Sequence, residues 1–238
     1  MCDLFSLVLP TYNEAENVTR CVHAVCRVLD GRDFEIVVAD DDSPDRTWAV
    51  AEALGNPRVR VLRRTGERGL APAVVEAFGH ARGELLGVMD ADLQHDEAIL
   101  PRMIDALADH EFVIGSRAAE GGSYGDWSPG RRLGSWAAAR LARVMLGVRI
   151  TDPMAGYFAL RREVFERARP ALSPRGFKIM LEIFCLARPG SFAEIGYTFR
   201  ARSAGRTKLS AGVARDYVRS LVELRRKMKA RRPAARRG

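Results

Sequence analysis

Two aspartates one residue apart, Asp90 and Asp92, close a short apolar run in the stretch GVMDADLQHDEAIL, residues 87–100. Residues two apart at a strand end point the same way, so both carboxylates can face one ligand. Carboxylates this close repel one another, and a hard divalent cation such as Mg2+ or Mn2+ would compensate them. Such an ion takes oxygen ligands, keeps one or two protein carboxylates and completes its shell from substrate phosphates. Gln94 offers a neutral oxygen on the same side. An oxygen-rich site has little use for an imidazole, so His95 fits a supporting role. Asp96 and Glu97 fit the N-cap and first turn of a following helix, where the dipole favours acids.

Three more polar clusters follow apolar runs: PTYNEAEN, DDDSPDRT and GSRAAEGG. In the first, the Tyr12 ring can stack on a nucleobase, and Glu14 can accept from a base N–H or a ribose hydroxyl. A plain strand-to-helix turn capped by Asn13 accounts for it equally. In the second, three adjacent acids, Asp40 to Asp42, are costly to solvate in a turn alone, which points to a ligand for one of them. No G-x-x-x-x-G-K-[ST] loop is present, and no G-x-G-x-x-G follows the first strand. Phosphate must then be held by metal and basic side chains. Arg117, Arg131, Lys178, Arg202 and Lys208 are the candidates, guanidinium being suited by its forked donors.

These clusters need a scaffold that brings them together. Strand-like runs at 4–9, 35–39, 58–62, 84–89 and 112–114 alternate with helix-like stretches at 14–29, 47–54, 70–81 and 97–108. That alternation predicts a mostly parallel twisted α/β sheet flanked by helices. Ligands of such sheets collect beyond the carboxyl ends of the strands, where all four clusters lie. The second half reads differently. Residues 121–132 form a Gly/Ser-rich loop. Residues 131–148 form an amphipathic helix with Leu133, Trp136, Ala137, Leu141, Val144, Met145 and Val148 on one face and Arg132, Arg140 and Arg143 outside it. That face either docks on the sheet or lies in a membrane interface, where Trp with flanking Arg is favoured. Residues 152–161 read as a loop entering a strand, 176–187 as a buried helix, 191–199 as a strand and 200–209 as a basic loop. A last helix at 211–229 runs into a basic tail.

Charge locates a partner. The net charge is +8, yet eight of the 38 basic residues and none of the 30 acids lie in 225–238, so the remainder is neutral. A basic tail on a neutral body fits an anionic membrane surface better than nucleic acid. No run of about 20 apolar residues encodes a membrane span. Four cysteines without paired spacing predict neither a disulfide framework nor a zinc site, and a reducing cytosol fits. The N-terminus reads straight into a strand without the marks of a signal peptide.

The segments LVLPTYNEAENV, VVADDDSPDRTW, GVMDADLQHD, VIGSR and FKIMLEIF, taken in order, resemble the family-2 glycosyltransferases of GT-A fold and, within them, the polyprenyl- (dolichyl-) phosphate mannose synthases. The resemblance covers residues 4–210, with 211–238 left as an amphipathic helix and basic tail. It implies that Pro10, Tyr12, Glu14, Ala39 and Asp41 hold base and ribose. It puts Asp90 and Ala91 on the sugar nucleotide, with Asp92 and Gln94, beside Asp90, on the metal. Arg117, Lys178, Arg202 and Lys208 would take phosphates, and Arg131 and Ser135 the acceptor phosphate. The looser fit of SPGRRLGSW makes that last pair the weakest part of the likeness. The implied reaction is inverting transfer of mannose from GDP-mannose to a polyprenyl phosphate, with Mg2+ or Mn2+, on the cytoplasmic face of a membrane. Asp90, Asp92 and Arg117 would carry the chemistry. The ending in a basic tail resembles catalytic subunits that depend on small membrane partners. A phosphate nucleophile is already ionised and needs no general base. Glu182 and Asp152 are therefore expected to tether loops or basic side chains. Alternatives are UDP-glucose as donor, a hydroxyl acceptor, a sugar-1-phosphate nucleotidyltransferase, which lacks its basic Gly-rich loop here, and a non-catalytic nucleotide-binding protein.

Overall fold

The computed structural model describes residues 3–173, 178–200 and 211–231, with backbone alone for 211–214. The apolar runs become strands β1 (Phe5–Thr11), β2 (Phe34–Asp40), β3 (Val59–Arg63), β4 (Leu85–Val88) and β5 (Phe112–Ser116). Between them lie α1 (Ala15–Val28), α2 (Thr47–Glu52), α3 (Leu70–His80) and α4 (Leu100–Ala106), the last entered through a 3-10 turn at Glu97–Ile99. In α1 the inward stripe is Val18, Cys21, Val22 and Val25, a spacing that keeps one face on the sheet. Pro101 in the first turn of α4 costs no intrahelical bond there.

The second half supplies α5 (Pro129–Leu146), β6 (Phe158–Arg161), α6 (Arg162–Ala168), α7 (Ile179–Ala187), β7 (Phe192–Gly196) and α8 (Ala211–Ala230). The seven strands run in the order β3-β2-β1-β4-β6-β5-β7. All neighbours are parallel except β6, which inserts antiparallel between β4 and β5 with Leu86 opposite Leu160 and Phe112 opposite Leu160. The predicted mostly parallel α/β sheet is therefore present, with an antiparallel wedge that periodicity does not announce. The short helix α6 was not anticipated. The expected helix at 176–187 begins at Ile179, and its first two residues lie outside the described set.

Core forms on both faces of the sheet. One cluster joins Val8, Phe78, Phe158 and Phe165 with the buried length of α7 and with Tyr217, Leu221 and Leu224 of α8. The other joins Leu7, Leu9, Val22 and Ile36 with Met103 and Tyr157. The α8 helix thus packs into the same core as the sheet, and the Tyr217 hydroxyl donates to the Ala138 carbonyl of α5 at 2.9 Å.

One expectation is corrected at α5. This helix buries a narrow face of small residues, Ala139 and Ala142 with Leu146, while Leu133, Trp136, Leu141 and Val144 stand exposed. Arg140 is not outside that apolar stripe but within it, its guanidinium 5.8 Å from the Trp136 ring centre. Small residues let the helix approach its neighbours closely, and the large apolar ones are left over. Among the described residues no helix is long and apolar enough to cross a membrane.

Candidate active site

The parallel strands deliver their polar ends to one edge. Thr11 closes β1 in register with Asp40 of β2, and Pro10 stands opposite Ala39. Asp40 is wholly buried. It accepts from Thr11 Oγ1 at 2.8 Å, from Ser43 Oγ at 2.7 Å and from Ser43 N at 2.8 Å. Asp41, also buried, forms an ion pair with Arg64 and accepts from the Gly69 amide at 2.7 Å. Asp42 pairs with Arg63 at 2.7 Å. Each of the three crowded acids thus has a protein partner of its own. Glu14 is half-buried and takes Asn17 Nδ2 at 2.8 Å, while its amide donates to Thr47 Oγ1 at 2.9 Å. Tyr12 is the exposed member of this group, at 47%. Arg68 lies 5.1 Å from its ring centre and 3.2 Å from its hydroxyl. Pro10, Tyr12, Glu14, Ala39 and Asp41 are thus gathered at the ends of β1 and β2, around an aromatic face with a cation beside it.

The aspartate pair follows β4 by one residue. Leu93 adopts φ +62°, a left-handed conformation that costs a branched residue roughly 1–2 kcal/mol. The turn it makes lets the Gln94 amide donate to Asp92 Oδ1 at 3.1 Å, fixing the buried Asp92. Ala91 between the two acids is buried as well. Asp90 has a half-exposed side chain, and its Oδ2 lies 3.2 Å from His95 Nε2. The other His95 nitrogen meets the Tyr197 hydroxyl at 2.7 Å. His95 therefore braces Asp90 from behind, in the supporting role expected of it. Asp96 caps the 3-10 turn by accepting from Ala98 N, and Asp96 and Glu97 both hold Arg200 at 2.6 Å. Gln94 Nε2 donates to the Arg200 carbonyl, which leaves its amide oxygen as the remaining acceptor.

Asp90, Asp92 and the Gln94 amide form an all-oxygen donor set on one turn, and that chemistry fits Mg2+ or Mn2+. Among the described residues no three His, Cys, Asp or Glu side chains form a metal cage. The set fits an ion that shares its shell with a phosphorylated ligand and not a closed structural site.

Asp90 opens onto a cleft of about 150 Å3 whose lining also includes His95, Arg117, Gly156, Lys178 and Phe199. Arg117 is buried and spends two donors on Asp152, at 2.7 and 2.9 Å. Burial alone would lower its pKa, but the hydrogen bonds and charge of Asp152 override this and raise it. Its guanidinium is boxed by the rings of Tyr124, Trp127 and Phe199, each 5.3–5.5 Å away. Arg131 stacks on that Trp127 at 3.7 Å, so two cations share one indole. Burial, and then the charge of Arg117, lower the Arg131 pKa. Lys178 caps α7, and its pKa is likewise lowered by burial first and Arg117 second. Ser135 hydrogen-bonds Tyr124 in the same box. Arg202 and Lys208, the other two predicted phosphate ligands, lie outside the described residues. Cations held together against desolvation and mutual repulsion form a place for an anion.

Asp152 and Glu182 do the tethering expected of them. Asp152 clamps Arg117, and Glu182 accepts from Ser173 N at 2.9 Å and pairs with Lys227 at 3.0 Å. Sequence reasoning missed Arg64, Arg68 and the aromatic box around Arg117. The run LRRTGERG after β3 was the available signal for the two arginines, being a fifth polar cluster at a strand end.

Comparison with known proteins extends this picture. A family model described as Glycosyl transferase family 2 matches residues 6–169. A dolichol-phosphate mannosyltransferase of Pyrococcus furiosus is 41% identical over 223 residues, covering 92% of this chain, which spans only 63% of that protein's length. A dolichol-phosphate mannosyltransferase of Saccharomyces cerevisiae is 36% identical, with 92% of this chain and 86% of that protein covered. An undecaprenyl-phosphate mannosyltransferase of Micrococcus luteus is also 36% identical, with 89% of each covered. Among solved structures, glucosyl-3-phosphoglycerate synthase from Mycobacterium tuberculosis, in complex with Mn2+, UDP and phosphoglyceric acid, superposes with a TM-score of 0.72. It is 19% identical, over 98% of this chain and 80% of that one. At that identity the likeness concerns the fold.

Proposed function

The chain belongs to glycosyl transferase family 2 and has its GT-A fold, and from that premise we propose that it transfers mannose from GDP-mannose to a polyprenyl phosphate with inversion. The observation that carries the reading is the cleft itself, where Asp90 shares the lining with Arg117 and Lys178, with Asp92 two residues further along the same turn. Relatives more than one-third identical and named for polyprenyl-phosphate mannosyl transfer support the choice of substrates.

In this reading, Tyr12 stacks on the base, with Pro10 and Ala39 as the floor and Glu14 and Asp41 as polar partners. Asp90, Asp92 and Gln94 hold Mg2+ or Mn2+, and Ala91 lets the sugar nucleotide approach the turn. The ion's chemistry is to neutralise charge on the departing diphosphate. Arg117 and Lys178, joined by Arg202 and Lys208, stabilise that same charge with donors fixed in advance. Arg131 and Ser135 hold the acceptor phosphate at the mouth of the aromatic box. An ionised phosphate oxygen attacks the anomeric carbon directly. No side chain needs to remove a proton, which agrees with the use of Asp152 and Glu182 as tethers. Catalysis rests on positioning two anions side by side.

The acceptor carries the protein to a membrane. The exposed stripe of Leu133, Trp136 and Val144 on α5 suits the headgroup boundary of a cytoplasmic leaflet, and a small membrane subunit would strengthen that attachment. The test incubates purified protein with radiolabelled GDP-mannose, short-chain polyprenyl phosphate and Mg2+ or Mn2+. A lipid-soluble labelled product is expected. Product from UDP-glucose in place of GDP-mannose would reassign the sugar, and no product from any donor would overturn the reading.

A further inference from the structure

A second cavity, of about 530 Å3, opens where the C-terminal ends of α5, α7 and α8 meet the start of β7. It lies on the opposite edge of the sheet from the cleft, because β7 runs parallel to β5 and Phe192 is its first residue. Its floor is apolar, formed by Leu146, Phe184, Cys185, Phe192 and Met228. Its rim carries Arg149, Arg188, Arg225 and Lys229, and among the described residues no acid lines it. Arg188 donates to the Met228 carbonyl at 2.8 Å. None of the four forms an ion pair with a carboxylate among the described residues, whereas elsewhere arginines commonly do so.

We infer that this cavity binds an anionic phospholipid, with the phosphodiester on the four cations and the adjoining methylenes on the apolar floor. Its volume falls in the range of ligand pockets. Four cations at one rim without a counter-charge repel one another, and an anion relieves that cost. The floor selects an amphiphile over a simple anion, since a bare phosphate gains nothing from Phe184 and Phe192. Val144 belongs both to the cavity wall and to the exposed stripe of α5, so the cavity opens onto the apolar surface that begins beside Arg131. At 1.5 Å per residue, Val144, the first α5 residue of the wall, lies about 20 Å along the helix from Arg131 and about 14 Å from Ser135, so this site is distinct from those acceptor-phosphate candidates. The inference holds whichever sugar the cleft transfers.

The test uses the full chain labelled with [13C]methyl-methionine, because Met145 and Met228 line the cavity. Titration with dihexanoyl phosphatidylglycerol below its micellar concentration should shift these two methyls saturably. Dihexanoyl phosphatidylcholine and inorganic phosphate should each leave them in place. The double variant Arg149→Gln/Arg225→Gln alters exposed side chains outside the cleft, and should weaken the interaction roughly 30-fold at low salt. Leu133→Ser/Trp136→Ser should leave the methyl shifts intact while reducing association with mixed phosphatidylglycerol–phosphatidylcholine vesicles. Equal shifts with phosphatidylcholine, full reproduction by phosphate, or no shift with phosphatidylglycerol would each overturn the assignment.

Discussion

Single side chains in the cleft differ in what they sacrifice when replaced. Asp92 is buried, and the Gln94 backbone amide donates to its Oδ1 at 3.1 Å. Asp92→Asn keeps the shape and that hydrogen bond, and should lower kcat/KM by about 100-fold or more while melting within a few degrees of the parent. Steady-state kinetics beside a thermal melt check both halves. Asp152 is the opposite case. Removing it strands the buried Arg117 guanidinium, and breaking such a pair costs about 3–5 kcal/mol. Asp152→Ala should therefore lower the melting temperature by roughly 10 °C before any effect on transfer is considered. Sequence reading proposed Asp90, Asp92, Gln94 and Arg117 from spacing and from a resemblance. It did not see that Asp40 accepts hydrogen bonds from Thr11 and Ser43, or that Asp41 and Asp42 pair with Arg64 and Arg63. Arg64 and Arg63 lie more than twenty residues further along the chain, and only the β2–β3 pairing brings them back.

Elements were legible wherever periodicity reported burial, and illegible where tertiary contacts decided. β1 to β5 fall within a residue or two of expectation because alternation of apolar runs and amphipathic helices is local information. The antiparallel insertion of β6 between β4 and β5 depends on which edge is open when the chain returns, and nothing in FALR encodes that. The face of α5 was left between docking and a membrane interface for a related reason. Hydrophobic size marked Leu133, Trp136 and Val144, but packing beside α8 favoured the small residues Ala139 and Ala142. Ala142→Leu should thus cost about 1–3 kcal/mol through overpacking, whereas Leu133→Ser on the exposed face should leave chemical denaturation almost unchanged. Glu35 gives β2 a pH signature. Burial works to raise its pKa, but the Arg82 amide, Ser6 and Arg60 together bring it below the usual value of 4.5. With the folded value depressed, its contribution is present above pH 4.5 and is lost as pH falls through the lower folded value. Glu35→Gln should flatten the acid limb of the melting-temperature profile in that window, which a series of melts between pH 6 and 2.5 would reveal.

Across the whole molecule, charge is divided between a neutral catalytic body and a cationic C-terminal end, but the division is not the simple tail that composition suggests. α8 continues to Ala230, so Arg225 to Lys229 belong to a helix whose inner face is packed on the core. Lys227 turns inward to Glu182, Ser173 and the Ala171 carbonyl, and this internal set fastens α8 to α7. The remaining basic residues of the segment are the ones left to face an anionic surface. Two variants of equal charge change should then behave differently. Lys227→Gln leaves the buried Glu182 without its cation, and should destabilise the fold by a few kcal/mol while affecting vesicle binding little. Arg226→Gln, at an exposed position, should leave stability within about 0.5 kcal/mol of the parent and weaken low-salt binding to anionic vesicles roughly five-fold. The second effect should fade as salt approaches 0.5 M, because screening removes attraction to a surface but not the buried pair. Sedimentation with phosphatidylglycerol vesicles at two salt concentrations, set against thermal melts of the same variants, separates the two roles. If both variants lost vesicle binding equally with unchanged melts, Lys227 would belong to the surface and the fastening of α8 would have to come from its apolar face alone.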